Sequence, residues 1–89
     1  MVESAGVKQF KIAKQAQKFI AALPADQRKR LKKAVTELIE GNWKDLDISR
    51  LEGHPNEFRL RVGRVRILFR SDKEMLFIFK AGYRGDVYK

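Results

Sequence analysis

From Phe58 onward apolar residues alternate with arginine, a period of two that an extended strand converts into two distinct faces. Phe58, Leu60 and Val62 fall on one side, Arg59 and Arg61 on the other. Gly63-Arg64 supplies a tight turn, after which Val65, Ile67 and Phe69 alternate with Arg64, Arg66, Leu68 and Arg70. Ser71-Asp72-Lys73 predicts a second turn, followed by a strongly apolar strand from Met75 to Ala81. Strands joined by turns this short form an antiparallel meander.

The N-terminal half follows a different period. Val7 to Ile12 reads as a short strand. Ala16, Phe19, Ile20 and Leu23 then recur at helical spacing, and Leu23-Pro24 ends that helix because the residue before proline avoids the α region. Pro24 and Asp26 suit the start of a second helix, with Leu31, Ala34, Val35, Leu38 and Ile39 as its apolar stripe and Gly41 as its stop. Arg28, Lys29, Lys32 and Lys33 are expected on its outer face. Asn42 to Asn56 reads as a connection, pinned to the domain by Trp43, Leu46, Ile48 and Leu51. The expected fold is α+β, in the order β-α-α-β-β-β. An antiparallel sheet packs against the N-terminal helical hairpin, which buries Phe58, Leu60, Val62, Val65, Ile67 and Phe69.

At 89 residues the chain has room for one domain, spanning 1–89. It has no cysteine, which excludes a disulfide framework and a thiolate metal site. No apolar run is long enough to span a bilayer, and Met1 to Lys11 lacks the apolar stretch of a signal peptide, so a soluble cytoplasmic protein is expected. Twenty Lys+Arg against eleven Asp+Glu leave a net charge of +9, which draws in polyanions, nucleic acid first and an acidic protein second.

The strand geometry concentrates that charge. Arg59 and Arg61 share a face, as do Arg64, Arg66 and Arg70, and the tight turn makes them cross-strand neighbours. Guanidinium groups that close repel unless something anionic sits among them, and their planar fork of donors suits phosphate. The alternative is a solvated basic face that deters aggregation. Beyond the last strand, Tyr83, Arg84 and Tyr88 put aromatic rings among cations, the combination that single-stranded RNA stacks on and pairs with. A phenol can also transfer protons when cations lower its pKa. The alternative for this tail is packing alone. His54 is the one histidine, in a loop beside Pro55, and cannot form a two-histidine ribonuclease pair. Asp45 and Asp47 make a poor metal site without further ligands, and Glu37 and Glu40 suit pairing with local lysines. No Gly-rich phosphate loop, Ser-His-Asp arrangement or zinc spacing occurs.

Taken in order, Lys18-Phe19-Ile20 to Leu23-Pro24, Arg50-Leu51-Glu52-Gly53, Phe58-Arg59-Leu60-Arg61-Val62-Gly63, Arg64-Val65-Arg66-Ile67-Leu68-Phe69 and Gly82-Tyr83-Arg84-Gly85-Asp86-Val87-Tyr88 resemble the RelE/ParE superfamily of toxin–antitoxin toxins. The resemblance covers nearly the whole chain. It implies a RelE-like fold and a ribonuclease that cuts mRNA in the ribosomal A site, beside rRNA. Such a toxin needs no metal or small-molecule cofactor and is neutralised by a cognate antitoxin. It carries catalytic roles onto Arg59, Arg61, Arg66, Arg84 and Tyr88, with the match at Arg84 made across a small gap. Arg64, Arg70, Lys80 and Tyr83 are then expected to contact RNA.

This chain departs from the family pattern in carrying Arg59 and Arg61 where members often carry lysine. Arginine does not give up its proton, which leaves Tyr88 as the expected general base. Tyr83 stands where many relatives have histidine, so no imidazole is available as acid. A ParE-like toxin that inhibits DNA gyrase by binding shares the fold. So could a non-catalytic basic ribosome- or RNA-binding module. An RNA-cleaving site needs the combination of Arg59, Arg61, Arg84 and Tyr88, and a gyrase binder does not. The antitoxin is expected to lay an acidic segment over the helical hairpin or the arginine face.

Overall fold

A computed structural model describes residues 9–83 of the chain. The first strand, β1 (Gln9–Ile12), leads directly into α1 (Lys14–Ala21). Ala22 caps α1, and the chain reverses through Leu23 and Pro24, where the Arg28 guanidinium reaches back to donate to the Leu23 carbonyl at 2.9 Å. The second helix, α2 (Ala25–Ile39), begins with Pro24 at its N-cap and Asp26 in its first turn, where a carboxylate complements the helix dipole. Its end is a Schellman motif. Gly41 takes φ 85°, its N–H donates to the Leu38 carbonyl, and the Asn42 N–H donates to the Glu37 carbonyl at 2.9 Å.

Four strands follow: β2 (Asp47–Arg50), β3 (Glu57–Val62), β4 (Val65–Ser71) and β5 (Met75–Tyr83). Among the described residues the sheet has five strands in the order β1-β5-β4-β3-β2. The α+β class, the helical hairpin and the C-terminal meander are as expected, and two features of the sheet are not. The sheet is mixed rather than antiparallel, because β1 runs parallel to β5. That pairing joins the two ends of the described chain, and no local period reports on it. The connection expected over Asn42 to Asn56 also contains β2, which pairs antiparallel with β3. With Ile48 as its one half-buried residue, a strand of four is too short to show a period.

Helices α1 and α2 cover one face of the sheet. Leu60, Val65, Ile67, Phe69, Leu76 and Ile78 meet Ala16, Leu31, Ala34 and Leu38 there, with Phe58 and Val62 packed at the margin. Trp43 closes one end of this core. Its ring stands edge-on to Phe58 and Phe69 at 5.4 and 5.6 Å, and its Nε1–H donates to the Leu38 carbonyl at 2.9 Å. Leu46 and Ile48 pack against the same core, so the segment after α2 is pinned as its apolar residues suggested. Where β1 stops, Gln15 substitutes for a strand partner: its side-chain amide donates to the Ala81 carbonyl at 2.7 Å and accepts from the Ala81 N–H at 3.0 Å. Among the described residues no helix covers the opposite face of the sheet, and the arginines stand there.

Candidate nucleic-acid interface

The hairpin between β3 and β4 sets the geometry of this face. Val62 pairs with Val65, leaving Gly63 and Arg64 as a two-residue loop. Gly63 has φ 60°, and no non-glycine residue among those described has positive φ, which is the pattern of a type II′ turn with glycine first. Its twist matches the flanking strands, so the register holds back to Glu57 opposite Arg70. In that register Arg61 lies directly across from Arg66, and Arg59 across from Leu68.

Arg61, Gly63, Arg64, Arg66 and Tyr83 together line an open groove of about 530 Å³. Arg66 is the deepest of them, 7% exposed, and donates from Nη1 to the Gly63 carbonyl at 3.4 Å. Gly82, opposite Arg66 on β5, contributes no side chain to fill the space. Tyr83 stands at the groove's edge, 39% exposed, with its ring edge-on to Phe19 of α1 at 5.0 Å. Its ring thus packs against a helix residue and keeps part of its surface open to the groove. Arg30 of α2 adds a cation that the sequence did not single out, its guanidinium reaching toward Gly63 at the hairpin tip.

The repulsion expected within the arginine face is relieved inside the molecule. Because β2 pairs with β3, Asp47 comes opposite Arg61 and Ser49 opposite Arg59. Arg61 Nε donates to Asp47 Oδ2 at 2.6 Å, and Arg59 Nη2 lies 3.8 Å from Asp47 Oδ1 while donating to Ser49 Oγ at 2.9 Å. At the other end of β3, Arg70 donates to Glu57 Oε2 at 3.0 Å. The anion demanded by clustered arginines is thus supplied in part by carboxylates of the same chain. From the sequence Asp47 suggests itself only as a metal ligand. Among the described residues no three His, Cys, Asp or Glu side chains gather as metal ligands. The signal for its actual role was the alternation Asp47-Ile48-Ser49, which puts both polar residues on the arginine side of a strand. One donor stays over: Arg59 Nε is buried and has no hydrogen-bond partner among the described residues.

The other predicted residues fall in three places. Arg70 lies four positions along β4 from Arg66, about 13 Å at strand rise, outside the groove but on the same face. Lys80 sits across from Leu68, also on this face. Arg84 and Tyr88 lie outside the described residues. His54 is exposed in the turn between β2 and β3, with Nδ1 at 3.7 Å from Glu57, and takes no part in the groove. No helix among the described residues is long and apolar enough to cross a membrane.

No family model matches the chain, and no curated protein matches it in sequence. Solved structures do. The chain is similar to one in the RelB–RelE antitoxin–toxin complex from Methanococcus jannaschii, with a TM-score of 0.73, 28% identity and coverage of 86% of this chain and 93% of that one. A chain of the archaeal RelE–RelB complex from Pyrococcus horikoshii OT3 gives a TM-score of 0.76 at 24% identity, covering 91% and 99%. The RelBE2 toxin–antitoxin complex from Mycobacterium tuberculosis gives 0.54 at 22% identity, covering 88% and 99%. The last two, at such low identity, speak to the fold alone.

Proposed function

Because the chain belongs by its fold to the RelE-type toxin superfamily, we propose that it is a translation-inhibiting toxin that cleaves mRNA in the ribosomal A site of the cytoplasm. The observation that carries this reading is the groove in which Arg61 and Arg66 face each other across β3 and β4, with Arg64 and Tyr83 beside them. Several preorganised guanidiniums around one open groove suit a phosphodiester that gains negative charge as it reacts.

In the proposed reaction the 2′-hydroxyl oxygen of a ribose attacks the adjacent phosphorus. Tyr88 takes the hydroxyl proton, and Arg59, Arg61, Arg66 and Arg84 hold the charge of the pentacoordinate phosphorane. The bond from phosphorus to the 5′-oxygen then breaks, and that oxygen takes a proton from water. The products are a 2′,3′-cyclic phosphate and a free 5′-hydroxyl. Arginine cannot act as the base, since it keeps its proton at any pH a cell reaches. Arg64, Arg70, Lys80 and Tyr83 bind the flanking RNA.

The partner in the similar Methanococcus jannaschii complex is an antitoxin, and an antitoxin is proposed as a partner here, with an acidic segment that covers the arginine face and blocks the groove. The net charge of +9 supports an acidic partner.

Primer extension on a defined mRNA, with and without programmed ribosomes, tests the reading on the wild type, Arg84→Ala and Tyr88→Phe. Cleavage that needs ribosomes and falls in both variants is the expected result. Absence of cleavage under every condition overturns it, and a gyrase supercoiling assay then tests the binding-toxin alternative.

A further inference from the structure

β5 runs through the interior of the sheet, between β4 and β1, and among the described residues helices cover one of its faces and not the other. Its residues pair with β4 as Phe77 to Arg70, Ile78 to Phe69 and Lys80 to Leu68, with an irregularity between Leu68 and Phe69. Phe79 is the residue left over. Such a bulge sets two residues of one strand against one of its partner and re-aims a side chain. Strict alternation from Phe77 would place Phe79 and Lys80 on opposite faces. Instead the Phe79 ring lies under the Arg70 guanidinium, 6.0 Å from Cζ to centroid, on the same open face as Lys80.

The result is a pair of half-buried rings, Phe77 and Phe79, with centroids 6.2 Å apart. Phe77 has Arg70 opposite it on β4 and Lys11 opposite it on β1, so cations flank it on both sides. Lys11, Arg70, Asp72, Met75 and Phe77 line a shallow cavity of about 220 Å³. The nearby carboxylates have local tasks: Glu57 accepts from Arg70, and Asp72 Oδ1 accepts from the Glu74 and Met75 N–H groups in the turn before β5. Among the described residues no layer covers the rings, and the cations around them disfavour a purely apolar occupant. Rings bracketed by cations, on one face with the groove and about 13 Å along β4 from Arg66, match a strand of RNA whose bases stack while its phosphates pair.

We propose that Phe77 and Phe79, with Arg70 and Lys11, form a base-stacking subsite for single-stranded RNA that extends the arginine groove by a few nucleotides. This inference rests on the RNA-cleaving reading and assigns that site a second binding element. Alternation from Phe77 places Phe79 on the open face, and the bulge brings Lys80 onto that face beside it.

The test is equilibrium binding of a short oligoribonucleotide, and of a ribose-phosphate oligomer of equal length without bases, to the full chain. Phe79→Leu keeps an apolar side chain but removes the π-face. It is expected to weaken the oligoribonucleotide roughly fivefold to a hundredfold while leaving the abasic oligomer unchanged. Phe79→Trp is expected to restore binding. A second measurement needs no variant: 2-aminopurine in the oligoribonucleotide should lose fluorescence when it stacks on the wild-type protein. Equal binding of the oligoribonucleotide by wild type and Phe79→Leu, equal losses for both oligomers, or no quenching each overturns the proposal. If Phe79→Leu instead weakens only the capture of an acidic antitoxin, the rings dock protein and the proposal also fails. Wild-type protein that binds neither oligomer defeats the RNA reading itself, a result distinct from failure of the subsite alone.

Discussion

Asp47 Oδ2 lies 2.6 Å from Arg61 Nε, across the pair of antiparallel strands at the edge of the arginine face. The carboxylate occupies a position where a phosphate oxygen could sit, and it also stands 3.8 Å from Arg59. A face of strands rich in arginine would repel itself; this contact relieves part of the repulsion.

Replacing Asp47 with asparagine therefore affects binding more than stability. Both partners are substantially exposed, at 49% and 42%, and exposed pairs of this kind contribute about 0.2–1 kcal/mol. Asp47→Asn is expected to leave the melting temperature within a few degrees of wild type and to tighten RNA binding about twofold to fivefold. Filter binding over a salt series measures this, and weaker binding by Asp47→Asn would show that the carboxylate positions Arg61 rather than competing for it.

Arg66 is sunk in the groove wall, where a lysine's single point charge does not reproduce a guanidinium fork. Under the proposed function, Arg66→Ala and Arg66→Lys both cut single-turnover cleavage, Arg66→Ala by about a hundredfold or more. Full cleavage by Arg66→Lys would reduce the residue's role to a simple positive charge.

Gly63 opens the hairpin that registers Arg61 against Arg66, and its φ of 60° is costly for any residue with a Cβ. A Cβ there would meet nothing closer than the Arg30 guanidinium at 3.9 Å, so the cost of Gly63→Ala is conformational, about 1–2 kcal/mol. Thermal denaturation should show a fall of roughly 4–8 °C per kcal/mol in a domain of this size. An unchanged midpoint would mean that the turn relaxes to another type.

Trp43 ties the end of α2 to the sheet through one hydrogen bond and two ring contacts. Trp43→Phe keeps an aromatic ring and loses the bond to the Leu38 carbonyl, for about 1 kcal/mol. Trp43→Ala loses both and should cost about 3 kcal/mol, at the low end for a large aromatic because the ring is only partly buried. Urea denaturation followed by circular dichroism separates the two, and equal losses would assign the whole effect to the hydrogen bond.

What the sequence determined by itself was everything written in short-range periods. Alternation from Phe58 to Phe69 set β3, β4 and the side on which the arginines stand, because strand side chains alternate regardless of neighbours. Helical spacing, Pro24 and Gly41 likewise set the hairpin, since caps and stripes act within a few residues. The resemblance to RelE-type toxins was legible in the order of the same motifs, and Arg84 and Tyr88, named from it, lie outside the described residues. Tertiary structure alone decided which strands meet. Pairing of β1 with β5 and of β2 with β3 is long-range, and it brought Asp47 to Arg61, Lys11 to Phe77 and Gln15 to Ala81. The bulge that sets Lys80 beside Phe79 on the open face belongs to the same class: alternation along β5 would turn Lys80 to the helix side, and only the pairing with β4 shifts it.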